Sequence, residues 1–161
     1  MPYGFTGFDD LVDAAGYGVG IACTDKAAVL AWLSARAAAR TGIDVSAIAE
    51  RLALREASGS TGFGGGVAIP HARFAELANV VVEIAVLAMP VDFGAIDDQP
   101  VDIVVLMLSS DAAGADHLKA LARISRTLRD PVRLTAVRAA GDGAALCAAL
   151  RVAAEAPRQA A

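Results

Sequence analysis

The sequence predicts a single-domain α/β fold, a three-layer sandwich with a mixed β-sheet flanked by helices, and three observations carry that prediction. β-Branched runs of strand length, "NVVVEIAVLA" and "PVDIVVLML", lie in the middle of the chain. Segments with an apolar period near 3.6 residues precede and follow them. The 161 residues suffice for one core, and neither an internal repeat nor a linker-like stretch divides them. The expected domain therefore spans 1–161, with a core over about 8–150 and a frayed tail at 156–161.

Each element has a local reason. "TDKAAVLAWLSARAAART" starts at Asp25, a good N-cap, places Val29, Leu33 and Ala37 on one face and ends before Gly42. "DVSAIAERLALRE" repeats the scheme with Asp44 as cap, Val45, Ile48 and Leu52 as the apolar face and Arg55 at its exit. "GVAIP" is a short apolar strand that stops early, because Pro70 disfavours helix at Ile69 and has no N–H for a ladder. The two long strands are joined by "MPVDFGAIDDQP", rich in turn formers. "DHLKALARISRTLRD" is a helix running up to Pro131, and "PVRLTAVRAA" and "GDGAALCAALRVAAE" are two more, the last capped by Asp142.

Composition excludes several classes of function. The net charge of −4 offers no footprint for nucleic acid or an anionic membrane, so any phosphate chemistry must be local. The most apolar runs are broken by Glu83, Pro90 and Asp102 and fall short of a membrane span, and the N-terminus, with Asp9 and Asp10 early, does not read as a secretory signal. Cys23 and Cys147 form no C-x-x-C pair and read as small buried hydrophobes of a cytoplasmic protein. With two histidines and no H-x-x-H spacing, no metal site is expected.

Chemistry concentrates in "GSTGFGGGVAIPHAR", residues 59 to 73. Glycines at 59, 62, 64, 65 and 66 allow positive φ and a nest of N–H donors, to which Ser60 and Thr61 add hydroxyls. The run is no Walker A loop, since it lacks lysine, and no dinucleotide fingerprint, since Val67 follows Gly64 by three and the glycines precede the strand. His71 closes the stretch. A neutral imidazole, with an ordinary pKa of about 6.5, is a nucleophile able to take a phosphoryl group, whose charge the nest and a cation such as Arg55 or Arg73 would meet. A connecting loop with a surface histidine explains the same residues, and from pattern alone both readings stand.

His117 adds a second imidazole. It shares a helical stripe with Leu121, Ile124 and Leu128, opposite Lys119, Arg123, Arg126 and Asp130, so it faces inward from the helix's first turn, where anions are favoured.

"LREASGSTGFGGGVAIPHAR" resembles the phosphorylation-site signature of the type-2 IIA domains of the bacterial phosphoenolpyruvate:sugar phosphotransferase system (PTS), the fructose/mannitol/nitrogen-regulatory group. The similarity continues through "VDFGAIDDQPVDIVVLMLSS" and "DHLKALARISRTLRD". The resemblance implies that His71 accepts a phosphoryl group on Nε2 from an HPr-like phosphocarrier, that Arg55 and His117 steady it, and that Ser60, Thr61, Gly62 and Gly64 belong to the phosphate-binding loop. It implies neither metal nor organic cofactor. A chain with no fused transporter and with "FGAIDDQPVDIVVLML" is more similar to the nitrogen-regulatory branch, which signals to target proteins such as kinases, potassium transport proteins or alarmone enzymes. The alternative is a IIA subunit that passes phosphate to the IIB domain of a fructose/mannitol-type permease. Phe63, Ala72 and the Ser109–Ser110 pair depart from the usual pattern, and Phe63 and Phe74 are candidates for a docking surface.

Overall fold

In the computed structural model, which describes residues 7–112 and 114–151, the three helices with a predicted cap, at Asp25, Asp44 and Asp142, begin there. Helix α1 (Lys26–Thr41) starts where the Asp25 carboxylate accepts from Ala28 N at 2.8 Å, and it stops at Gly42 in the left-handed conformation. Asp44 caps α2 (Val45–Ala57) through Ala47 N at 3.2 Å. Helix α3 covers Ala115–Thr127, and α4 (Pro131–Ala139) opens on Pro131 with Asp130 accepting from Val132 N. Helix α5 (Gly143–Arg151) is capped by Asp142, which accepts from Ala145 N. The expected tail at 156–161 lies outside the described residues.

Six strands form one sheet: β1 (Val12–Ile21), β2 (Gly62–Gly64), β3 (Val67–Ala68), β4 (His71–Arg73), β5 (Val81–Val91) and β6 (Val101–Ser109). The order is β1-β5-β6-β3-β2, with β4 also on β6. Pairings of β1 with β5 and of β3 and β4 with β6 are parallel, whereas β5–β6 and β2–β3 are antiparallel, so the sheet is mixed. Most of β5 and β6 is buried on two faces, which explains their predominantly apolar sequences. Glu83 sits in β5 only 1% exposed because Arg40 and Arg36 of α1 reach over it.

Alternation along the strands divides the core into two. One face of the sheet, with Ala85, Val104, Leu106 and Leu108, packs on Val29, Leu33 and Ala37 of α1 and Ile48 and Leu52 of α2. The other, with Ile84, Ile103, Val105 and Met107, packs on Ile124 of α3, Val137 of α4 and Leu146 and Leu150 of α5. This is the expected three-layer sandwich. Val45, assigned to the buried face of α2, is 43% exposed, because it is the first residue of the helix and lies beyond the packed stripe.

Strand β1 was not foreseen. "VDAAGYGVGI" has few β-branched residues, yet it pairs with β5 along the sheet edge, and its small residues let α1 lie close. A Cβ on Gly16 would stand 2.6 Å from an Arg40 guanidinium nitrogen, and one on Gly18 would stand 2.7 Å from the Trp32 ring.

Candidate functional site

Pro70 determines where the site begins. With no N–H to donate, it interrupts the ladder after β3, yet its carbonyl accepts from Met107 N at 3.0 Å, so the chain stays on β6 and resumes as β4 at His71. His71 is thus held on the sheet beside Met107. Arg55 arrives from the last turn of α2 on one side and His117 from the first turn of α3 on the other. The structure brings these three predicted residues together.

Hydrogen bonds assign the tautomer of His71. Its Nδ1 lies 2.8 Å from the Ile69 carbonyl oxygen, which only accepts, so Nδ1 carries the proton and Nε2 the lone pair. Arg55 Nε donates to that Nε2 at 3.3 Å, and its terminal nitrogen donates to Gly59 O at 2.8 Å. Burial pushes the His71 imidazole below its ordinary pKa; the bond to Ile69 opposes that shift, Arg55 and Arg73 reinforce it, and Glu56 opposes it. The ring is therefore neutral near pH 7, with an unprotonated Nε2 that accepts from Arg55.

The two imidazoles stand edge to face with centroids 5.7 Å apart. His117 is only 5% exposed, and its Nδ1 is hydrogen-bonded to the buried Ser109 hydroxyl at the end of β6. That hydroxyl has no other acceptor among the described contacts, so it donates to Nδ1 and leaves Nε2–H of His117 as a donor. Burial, then Arg73, then His71 lower the pKa of His117, so it too is neutral near pH 7. Sequence reasoning noted Ser109 only as a departure from a pattern. Its polar place at the end of an apolar strand was the available signal.

The imidazoles share an open depression of about 470 Å³ with Arg51, Leu54, Arg55 and Arg73. Three guanidiniums and no carboxylate line it, a local positive field on a chain of net charge −4. A larger cleft of about 700 Å³ lies by the start of α3, but its walls carry Asp10, Asp13 and Asp116 against Lys119 and Arg123, so it lacks the excess of positive charge that the depression has. Among the described residues no group of three or more His, Cys, Asp or Glu side chains could hold a metal ion.

The glycine run takes another form than an anion nest. Gly62–Gly64 is β2, which turns through Gly65 and Gly66, both at positive φ, into β3. Gly65 N donates to Asp97, and Gly66 O accepts from Asp102 N and Ile103 N, so the tip faces acidic residues. In register, β3 meets β6 four residues before His71 does, roughly 13 Å at the usual strand rise, and the structure does not bring Gly64 to His71. Gly62 packs where a Cβ would stand 2.7 Å from that of Ala95. Ser60 donates to Phe93 O at 2.6 Å, and the Thr61 hydroxyl bonds the Glu56 carboxylate. Phe74, 1% exposed, belongs to the core, stacked under Arg51, and Phe63 packs against the other core beneath Arg129. The exposed large apolar residue that lines the pocket is instead Leu54, 72% accessible.

Fold and site together define an α/β protein that presents two neutral imidazoles, His71 and His117, in a basic depression. The chain belongs to the family described as "Phosphoenolpyruvate-dependent sugar phosphotransferase system, EIIA 2", whose model matches residues 18–152. A nitrogen regulatory protein of Bradyrhizobium diazoefficiens is 46% identical over 125 residues, 78% of this chain and 82% of that protein. The crystal structure of nitrogen regulatory protein IIA-Ntr from Neisseria meningitidis superposes with a TM-score of 0.84 at 22% identity, covering 89% of this chain and 98% of that one. Mannitol IIA of Escherichia coli, solved in complex with phosphorylated IIB mannitol, gives 0.73 at 14% identity over 87% of this chain and 98% of its own. No helix among the described residues is long and apolar enough to cross a membrane.

Proposed function

We propose that His71 accepts a phosphoryl group on Nε2 from an HPr-like phosphocarrier and that the chain works as a phosphorylation-dependent regulatory switch. The observation that carries this reading is the assigned tautomer: Nδ1–H is committed to Ile69 O, and Nε2 keeps a lone pair at the depression, where it accepts from Arg55 Nε. In an in-line transfer the bond from phosphorus to the carrier's histidine nitrogen breaks as the bond to Nε2 forms, and the carrier keeps the electron pair. The His71 ring becomes a phosphoimidazolium whose Nδ1–H still donates to Ile69 O. The phosphoryl oxygens find Arg55, which turns its donor from the lone pair to an oxygen, together with Arg73 and Nε2–H of His117.

Ser60, Thr61, Gly62 and Gly64 then serve the phosphoryl group indirectly, by holding the hairpin and the Ile69 carbonyl. The phosphoryl oxygens bring up to about −2 charge to the centre of a basic face, offset by the +1 that the ring gains, a net change of about −1. Partners that dock over Leu54 would read that change as electrostatics, without a large movement. The likeness to nitrogen regulatory proteins favours targets of the regulatory kind, a kinase, a potassium transport protein or an alarmone enzyme, met in the cytoplasm. The second reading is transfer onward to a IIB domain, favoured by the complex that the mannitol IIA forms.

Incubation with phosphoenolpyruvate, the general PTS enzyme and the carrier tests the first step: an acid-labile phosphoryl group should appear and be absent from His71→Ala. Capture of lysate proteins on the two phosphoforms separates the readings, regulatory targets supporting the first and a permease IIB domain the second.

A further inference from the structure

Glu56 is the one buried carboxylate next to the site that phosphoryl transfer does not use. It lies at the end of α2 directly after Arg55, 8% exposed, and faces the opposite way. One oxygen pairs with Lys26 Nζ at 2.5 Å. The carboxylate also accepts from Thr61, both from the backbone N–H at 3.2 and 3.3 Å and from the hydroxyl. Nothing in that arrangement touches His71, yet a chain of hydrogen bonds leads to it. The Thr61 carbonyl accepts from Ile69 N at 3.1 Å, and the Ile69 carbonyl accepts from His71 Nδ1 at 2.8 Å.

Resting on the reading of His71 as phosphoacceptor, we infer that Glu56 is a positioning residue which, through Thr61 and Ile69, holds His71 in the Nδ1–H tautomer and aims Nε2 at the donor. The bonds couple these residues by position: Glu56 grips Thr61 at both its N–H and its hydroxyl, the Thr61 carbonyl holds Ile69 N, and Ile69 O is thereby kept where it accepts from Nδ1, which favours a proton there over one on Nε2. The negative charge of Glu56 steadies the positive charge that the ring gains when phosphorus bonds to Nε2. Glu56 also raises the proton affinity of His71, against the burial, Arg55 and Arg73 that lower it. A third consequence is mechanical. Thr61 and Ile69 lie at the two ends of the β2–β3 hairpin, so Glu56 closes the base of the hairpin that carries the Ile69 carbonyl.

The test is Glu56→Gln, which keeps the shape and one acceptor oxygen but removes the charge. Long-range 1H–15N spectra of the unphosphorylated protein read the His71 tautomer whether or not phosphorylation ever occurs. The titrating or charged groups that act on that ring are Arg55 from α2, Arg73 from β4 and His117 from α3 at the depression, and Glu56 of α2 at longer range. The expected result is a gain of the Nε2–H tautomer, a His71 titration moved to lower pH, and phosphoryl acceptance slower by roughly tenfold, the size of effect usual for residues that orient a reactive imidazole. Glu56→Asp, which keeps the charge, should recover part of both. A tautomer ratio equal to wild type in Glu56→Gln overturns the inference whatever the rate does. If Glu56→Gln does not fold, Thr61→Val decides: loss of the hydroxyl donor should move the tautomer ratio in the same direction, and an unmoved ratio overturns the inference. Failure of wild type to take label would instead overturn the phosphoacceptor reading, and the ring spectra would still report on Glu56.

Discussion

Arg55 Nε lies 3.3 Å from His71 Nε2 and donates to its lone pair, the position that an incoming phosphorus would occupy. The guanidinium therefore covers that lone pair, and phosphoryl transfer to Nε2 would require it to turn outward. A charge-assisted bond of this kind contributes about 1.5–3 kcal/mol. Arg55→Ala should slow phosphoryl acceptance by roughly 10- to 100-fold, by the same energies, and shorten the lifetime of the phosphohistidine. Timed phosphorylation with the carrier checks the first effect and loss of label on dilution the second. Arg55→Lys should recover only part, since it offers charge without the fork.

Ser109 controls which nitrogen of His117 faces the phosphoryl group. Ser109→Ala leaves Nδ1 of a buried imidazole unpaired, at a cost of about 1–3 kcal/mol in stability. It should also lower the acceptance rate by several-fold while the His71 tautomer stays as in wild type. Denaturant unfolding measures the one and ring nitrogen spectra the other.

The acid limb of activity follows from the direction of two pKa shifts. His71 is a nucleophile only when neutral, and its folded pKa lies below the ordinary value of about 6.5. Acceptance should be flat above that pH and fall as pH drops through the lowered value. Arg55 contributes to the lowering, so Arg55→Ala should move the fall to higher pH. The same sign governs stability: both histidines have lowered folded values, so below about 6.5 the unfolded chain binds protons first and stability declines as pH falls. His71→Ala and His117→Ala should each flatten that decline in urea unfolding measured across pH.

The hairpin tip can be broken without touching the site. A Cβ on Gly66, whose φ is +79°, would stand 2.5 Å from Arg138 and 2.9 Å from Asp102, which pair with each other. Gly66→Ala should therefore cost about 1–3 kcal/mol in backbone strain and lost pairing. Its acceptance rate, measured where it is fully folded, should equal that of wild type. A loss as large as that of Arg55→Ala would return the glycines to the phosphate.

Residues whose local chemistry decides their structure were legible in advance. Asp25, Asp44 and Asp142 cap helices because a carboxylate before an apolar period has few other uses, and Pro70 stops β3 because it has no N–H. His117 could be turned inward from its stripe alone. What escaped depends on distant partners. Strand β1 is held by β5 and α1 more than by its own propensity, so "VDAAGYGVGI" carried no strand pattern. The glycine run has one composition for two outcomes, a nest or a hairpin, and Asp97, Asp102 and Arg138, far along the chain, choose the hairpin. Glu56 and Ser109 gain their roles from Thr61 and His117, contacts that no spacing announces.

The central claim is that a phosphoryl group is carried on Nε2 of His71, and nitrogen-15 NMR of the phosphorylated chain tests it most directly. With the carrier system and phosphoenolpyruvate, the predicted spectrum has phosphorus coupled to Nε2 of His71 alone, with Nδ1 still protonated and bonded to Ile69 O. Phosphorus on Nδ1, on His117, or on no histidine would contradict it.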